Sequence, residues 1–316
     1  MTKKILTIGE ILVEFVATTQ GDGFGEAQPL TGPYPSGAPA IFIDQVGRMG
    51  QACAILGRVG DDDFGHLNID RLRDDGVDVN GIEIAYGEVT GCAFVRYRPD
   101  GSRRFVFTLP QSAAARLPAT SASEALIDSC DHLHMMGTAL TIPDIAALAR
   151  SAVQRIKARG GSLSFDPNLR AEMLDTPGLR EELAYMLAQA DLFLPSGDEI
   201  FLFSDATTEQ DAVDDLLGRG ISDIVVKRGS QGASHYCRNG RKDVTPLSVE
   251  EIDPTGAGDC FGGAFVALWL NGAAPEIALR YANAAGAHSV TRLGPMEGAA
   301  TKHQLDRLLA SQEINS

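Results

Sequence analysis

The residues best suited to chemistry sit in one stretch, DPTGAGDCFGGAF at positions 253–265. Gly256 and Gly258 permit positive φ and close approach of the backbone to another molecule. The small apolar run that follows, on through VALWLNG, reads as a packed helix. A helix starting there aims unsatisfied N–H groups and its positive dipole end at the loop. That makes an anion site, suited to phosphate or to charge building up on a transferred phosphoryl group. Asp259 stands in the same place, where its carboxylate can take the proton of a hydroxyl attacking phosphorus. Phosphoryl transfer needs little beyond such a base, positioning and charge neutralisation. Asp is also a favoured N-cap, so residue chemistry alone leaves a capping role open. Asp253 and Thr255 just upstream make a pure cap a less sufficient account, although Asp253 could simply brace the loop.

A loop of this kind needs a rigid frame. Short apolar runs at 3–9, 53–60, 132–137, 162–167, 191–196 and 223–229 read as buried strands. Helix-like segments lie near 38–49, 63–75, 143–159, 178–189, 208–219, 256–270 and 275–292. Alternation of this sort predicts a mainly parallel sheet covered on both faces, with ligands at the carboxyl ends of its strands. Two regions break the pattern. Residues 12–35 hold a strand-like run and a Gly/Pro-rich stretch, and 89–109 read as a hairpin turning at PDG. Its alternation, FVRYRPDGSRRFVF, predicts one apolar and one basic face. Together these segments predict a small sheet projecting from the body.

Composition narrows the partners. The 316 residues carry a formal charge of −15 with no Lys/Arg-rich block, which argues against nucleic acid or an anionic membrane as a partner. The five cysteines form no CxxC, so we expect neither a disulfide framework nor a zinc site. MTKKILTIGEILVEF reads as a first strand and not a signal peptide, and no apolar run approaches the ~20 residues of a membrane span. A cytoplasmic location is expected.

The DPTGAGDCFGGAF stretch resembles the signature of the PfkB (ribokinase-like) carbohydrate kinases. GEILVEF (9–15), PSGAPAIF (35–42), GRVGDDDFG (57–65), FDPNLR (165–170) and VVKRGSQGA (225–233) resemble further blocks of that family in the same order, so the likeness spans the chain. It implies a ribokinase-like three-layer α/β body with a β-sheet lid: 1–11, 36–88 and 110–316 in the body, 12–35 and 89–109 in the lid. It implies an ATP-dependent sugar kinase using Mg2+ and, in many members, K+. On this resemblance Asp259 is the base, and the N–H groups of Gly256, Ala257 and Gly258 form the anion hole. Asp253 and Thr255 fall at the monovalent-cation loop, Glu199 where a Glu acts through water on magnesium. Lys227, Gly229 and Asn283 fall at the nucleotide site. Glu14 and Gly37 fall on the sugar side, and Arg170 falls where it could face the phosphate or an anionic substrate. Of the hairpin arginines Arg96, Arg98, Arg103 and Arg104, any that faces the cleft could meet a substrate carboxylate, and Arg98 is a candidate substrate contact.

This chain departs from the family pattern at Ser36 and Ile41 in the sugar segment and at Ser196 before Glu199. An arginine expected before the SAAA segment in 2-keto-3-deoxygluconate kinases is missing from FTLPQSAAARL. A neutral ketohexose, tagatose or fructose, is therefore expected over that acid sugar. A sugar or nucleotide sensor on the same scaffold, or a nucleoside kinase, are the competing readings. Lids of this family exclude water and pair across a twofold, so a homodimer through the lid is expected.

Overall fold

The structure is a computed structural model that describes residues 3–169 and 171–314. Its strands are β1 (Ile5–Ile8), β2 (Leu12–Ala17), β3 (Leu30–Ser36), β4 (Cys53–Gly60), β5 (Ile82–Ala85), β6 (Gly91–Tyr97), β7 (Arg103–Phe107), β8 (His132–Met136), β9 (Ser162–Asp166), β10 (Leu192–Phe193), β11 (Asp223–Lys227), β12 (Ala233–Cys237) and β13 (Gly240–Val244). The helices are α1 (Ala38–Arg48), α2 (Asp63–Asp74), α3 (Ser121–Asp128), α4 (Pro143–Ala158), α5 (Leu179–Gln189), α6 (Glu209–Gly218), α7 (Ala257–Leu270), α8 (Pro275–Ser289) and α9 (Lys302–Ile314).

Nine strands form one sheet in the order β13-β12-β11-β10-β9-β8-β1-β4-β5, parallel from β11 to β5 and antiparallel at β12 and β13. In β1 every side chain is buried, with Leu6 and Ile8 in one core and Ile5 in the other. Covering both faces makes such strands apolar throughout. The first core is built with α4, α5 and α6, the second with α1, α7 and α8. This is the three-layer α/β body with a mainly parallel sheet that the sequence leads one to expect.

A separate sheet has the order β3-β2-β6-β7. β2 pairs parallel with β6, and both outer pairs are antiparallel. The hairpin turns at Asp100, whose Oδ1 accepts the Ser102 N–H at 2.9 Å, and at Gly101 with φ 80°. The expected split into an apolar and a basic face needs one correction. Register sets Arg96 opposite Arg104 on one side but Tyr97 opposite Arg103 on the other, the side that also carries Val95 and Phe105. A strand period of two sends Arg103 away from the other arginines.

Candidate active site

The strand ends and the start of α7 converge on Asp259. Gly256, with φ 82°, is the N-cap of α7, and no side chain caps the helix. A Cβ there would lie 2.5 Å from the Pro295 carbonyl oxygen, so the tight turn requires glycine. The first N–H groups of α7 thus face the loop, and Asp259 in the first turn points into the protein at 8% exposure. Asn168 Nδ2 donates to Asp259 Oδ1 at 2.9 Å. Asn168 itself has φ 43°, a conformation that Asn tolerates better than most residues.

Lys227 is buried beside this carboxylate. Its Nζ pairs with Asp166 Oδ2, and a Cβ on Gly258 would stand 3.8 Å from it. A solvated strand end, the plain alternative for a lysine there, is thereby excluded. Burial raises Asp259 to about 7, and the charge of Asp166 adds to this while Lys227 opposes it. Asp166 is likewise raised by burial, against the pull of Lys227. Burial alone would discharge Lys227, but Asp166 and Glu199 hold its ammonium charged. Glu199 is raised by burial and by Asp166. Its oxygens accept the N–H groups of Leu169 at 2.8 Å and Ser196 at 2.6 Å, so Ser196 supplies its backbone where the family has an asparagine.

The small sheet closes the other side. Tyr97 donates its hydroxyl to Asp253 Oδ1 at 2.6 Å, and Arg103 Nη1 donates to Thr255 Oγ1 at 2.9 Å. Asp253 also accepts the N–H of Thr255 at 2.9 Å and of Gly294 at 3.0 Å. Asp253 therefore braces the loop. Glu14 is buried on β2, opposite Tyr34 of β3. Gly37 has φ 110°, and a Cβ on it would meet the Glu10 carbonyl oxygen at 2.4 Å. Ile41 packs in the body core, and its Cγ2 lies under Gly256.

Other expected residues lie apart from this centre. Arg98 Nε binds exposed Asp22 at 2.9 Å near the hairpin turn. Asn283, buried on α8, donates to the Thr245 carbonyl at 2.8 Å, and Gly229 has φ 52° just past β11. Arg170 lies outside the described residues. Asn168, Asp166, Tyr97 and Arg103 were not singled out for the loop by sequence. Of these, Asn168 and Asp166 lie in the quoted FDPNLR block. A further gathering of metal-type ligands, Asp223, His235 and Cys237, sits at the opposite end of β11. Asp223 there is already engaged by His235 at 2.6 Å and by Trp269 at 3.2 Å.

Among the described residues no helix is long and apolar enough to cross a membrane. The PfkB family carbohydrate kinases match residues 2–302. Fructokinase-1 of Oryza sativa subsp. japonica is 32% identical, covering 97% of this chain and 98% of its own. An E. coli protein provisionally named Ribokinase II, solved with ATP and Mg2+, superimposes with a TM-score of 0.93 at 45% identity, covering 98% of this chain and 100% of its own. A fructokinase double mutant from Vibrio cholerae O395, with fructose, ADP and potassium bound, gives 0.82 at 26% identity over 98% of each chain. The chain belongs to the PfkB family of carbohydrate kinases and is an ATP-dependent sugar kinase.

Proposed function

We propose that the protein transfers the γ-phosphoryl group of MgATP to a hydroxyl of a neutral ketohexose, fructose or tagatose. The observation that carries this is Asp259: a buried carboxylate raised to about 7, at the uncapped N-terminus of α7. A base poised near the operating pH removes a hydroxyl proton best. The N–H groups of Gly256, Ala257 and Gly258 receive the charge of the moving phosphoryl group. Lys227 balances the carboxylates around it, and Asn168 fixes the Asp259 rotamer. Gly37, Glu14 and Ile41 shape the sugar pocket between the sheets. Gly229 and Asn283 border the nucleotide.

The fructokinase relatives favour fructose within the ketohexoses. Against an acid sugar, Arg98 is committed to Asp22 and Arg96 to the backbone of 19–23, which leaves Arg103 as the hairpin arginine at the loop. The donor set fits magnesium carried in with ATP: Asp166 and Glu199 are acids raised by burial, a state a divalent cation relieves. Magnesium would neutralise the phosphates, with Glu199 acting through water. Tyr97, a backbone N–H and a guanidinium engage Asp253 Oδ1 and Thr255 Oγ1, so a monovalent cation there would be held by Asp253 Oδ2, which keeps a lone pair beside the Gly294 N–H, and by loop carbonyls. The four-stranded sheet acts as the lid, with 12–35 and 89–109 as its segments. Exposed Leu30 and Val106 on its edge strands suit lid pairing in a homodimer, which light scattering would detect. The five free thiols suit a cytoplasmic setting.

The test is ADP release from MgATP over fructose, tagatose, 2-keto-3-deoxygluconate, ribose and adenosine, with Asp259→Asn alongside. One ketohexose should stimulate release, and the variant should lose about 10²–10⁴-fold. Best turnover of the acid sugar would reverse the substrate assignment.

A further inference from the structure

The start of β11 and the end of β12 bring three metal-type ligands together. The antiparallel register sets Asp223 opposite Cys237 and Val225 opposite His235. A strand period of two then puts Asp223, His235 and Cys237 on one face of the sheet. One ligand atom from each, a carboxylate oxygen, a ring nitrogen and the thiol sulfur, lies within 4.8 Å of the other two. This face is covered by α7. Trp269 Nε1 donates to Asp223 Oδ2 at 3.2 Å, and the Phe265 ring lies 6.1 Å from that of His235. Lys227 ends the same strand about 13 Å away, at ~3.3 Å per residue. The cluster is therefore separate from the site around Asp259.

An Asp–His hydrogen bond inside a sheet accounts for part of this arrangement. His235 Nε2 and Asp223 Oδ1 are 2.6 Å apart. It does not account for the rest. His235 is 1% exposed, and its Nδ1 is buried with no hydrogen-bond partner. A buried polar atom left unpaired costs stability, and few are kept without a reason. The Cys237 thiol has only a weak 3.8 Å contact to the Gly240 carbonyl to hold it. The imidazole and the thiol thus keep coordinating capacity that hydrogen bonding does not use.

We propose that Asp223, His235 and Cys237 form a zinc site that clips β11 to β12 beneath α7, apart from the kinase centre. Imidazole and thiolate are donors that zinc favours, and the carboxylate completes a three-ligand set with a fourth position for water. Ligand atoms around tetrahedral zinc stand roughly 3.3–3.8 Å apart. Cys237 closes in by rotation about one side-chain bond, and the Asp223–His235 pair parts by about 1 Å or less. The thiol proton passes to solvent as the metal binds. Trp269 holds the second oxygen of Asp223, the kind of outer partner that orients a ligating carboxylate. Half-buried Cys237 gives the ion its way in. Lys242, the register partner of His235, is engaged by Glu276 at 2.6 Å, so its charge does not oppose the ion unanswered. The chain has no CxxC, and this site shows only through the pairing of two strands.

The experiment titrates Co2+ into the wild type, Cys237→Ser, Asp223→Asn and Cys260→Ser, each with its fold verified by circular dichroism, and follows the thiolate-to-cobalt charge-transfer absorption. The wild type should take up one Co2+ per chain with that band, and one equivalent of Zn2+ should erase it, because zinc is held more tightly than cobalt. Cys237→Ser should lose the band. Asp223→Asn should weaken binding at least about tenfold. Cys260→Ser should bind as the wild type does. Zn2+ should raise the wild-type Tm above any rise in Cys237→Ser. A wild type without the band overturns the proposal, since a cation held by oxygens alone, as at Asp166 and Glu199, gives none. A band that survives Cys237→Ser also overturns it, and its loss in Cys260→Ser would move the ion to α7. Equal Tm rises would remove the clip. If Cys237→Ser does not fold, Asp223→Asn decides, and an unchanged affinity there overturns the site.

Discussion

Asp44 and Asp259 are both buried carboxylates pushed up to about 7 by desolvation. They differ in company. Asp44 on α1 faces Arg71 at 3.3 and 3.4 Å and Arg48 at 3.4 Å, with Asp75 beside them. Arg71 is itself shared with Asp75 and with the Met296 carbonyl. That cluster ties α1 and α2 to the chain at 296, and its charges are paired with one another. Asp259 has one amide donor, a helix N-terminus and a like charge at Asp166, and it keeps 8% exposure where Asp44 has none. A shifted pKa therefore does not mark a site by itself. A shifted group placed where a ligand could supply the missing partner does.

The largest effect that sharpens this contrast is on turnover. Asp259→Asn should cost about 10²–10⁴-fold in kcat, whereas Asp44→Asn should stay within about threefold once folding is verified by circular dichroism. Equal losses would mean that burial, not placement, governs both.

The cations beside the two acids should separate next. Lys227→Met strands Asp166, a buried acid whose only ion-pair partner among the described residues is that lysine. Urea unfolding should show a loss of about 3–5 kcal/mol, relieved when Asp166→Asn is added. Arg71→Met leaves Arg48 on Asp44, so its loss should be smaller. A larger loss at Arg71 would make the helix cluster, not the strand ends, the more dependent on its cation.

The pH profile of kcat/KM should then rise about tenfold per unit up to the Asp259 value of about 7 and level off, because the ionised carboxylate is the active form. Asp44→Asn should leave the inflection where it is. A shift of that inflection in Asp44→Asn would show that the two clusters titrate together.

Much of this frame was legible because buried parallel strands and amphipathic helices write themselves locally. The strand expected at 53–60 is β4 to the residue, and the helix expected at 256–270 begins one residue later. The strand expected at 191–196 shrinks to Leu192–Phe193, because the chain turns at Pro195 into the cap that holds Glu199. The β12–β13 hairpin went unread although Asn239-Gly240 is a strong turn signal, and α3 went unread although Thr120 caps it. Within the site, the loop and its base were legible as one contiguous run. Tyr97 and Arg103 were not, since their partners lie 156 and 152 residues away and only the sheet register decides which arginine faces the loop. Lys227 was legible as a strand-end lysine but not as buried, because burial there depends on Asp166 from another strand.

The smallest expected effect concerns stability, and there the two acids should look alike. A carboxylate whose folded pKa is raised costs stability only when ionised. The cost is absent below its unfolded pKa near 3.8, grows through the interval, and is complete above about 7. Replacing either acid by asparagine should therefore stabilise the protein at pH 8 and do little near pH 4. For Asp259→Asn the gain should be roughly 2–4 kcal/mol, and for Asp44→Asn it should be less, since Arg48 and Arg71 lose an ionised partner. Thermal unfolding at the two pH values measures this. If Asp259→Asn gains no more at pH 8 than at pH 4, the carboxylate is not held near 7, and an activity inflection there belongs to another group. If both gain while only Asp259→Asn loses turnover, the same physical cost has been kept in two places for different reasons. At α1 the acid is retained for the ion pairs it organises, and at α7 for the proton it takes.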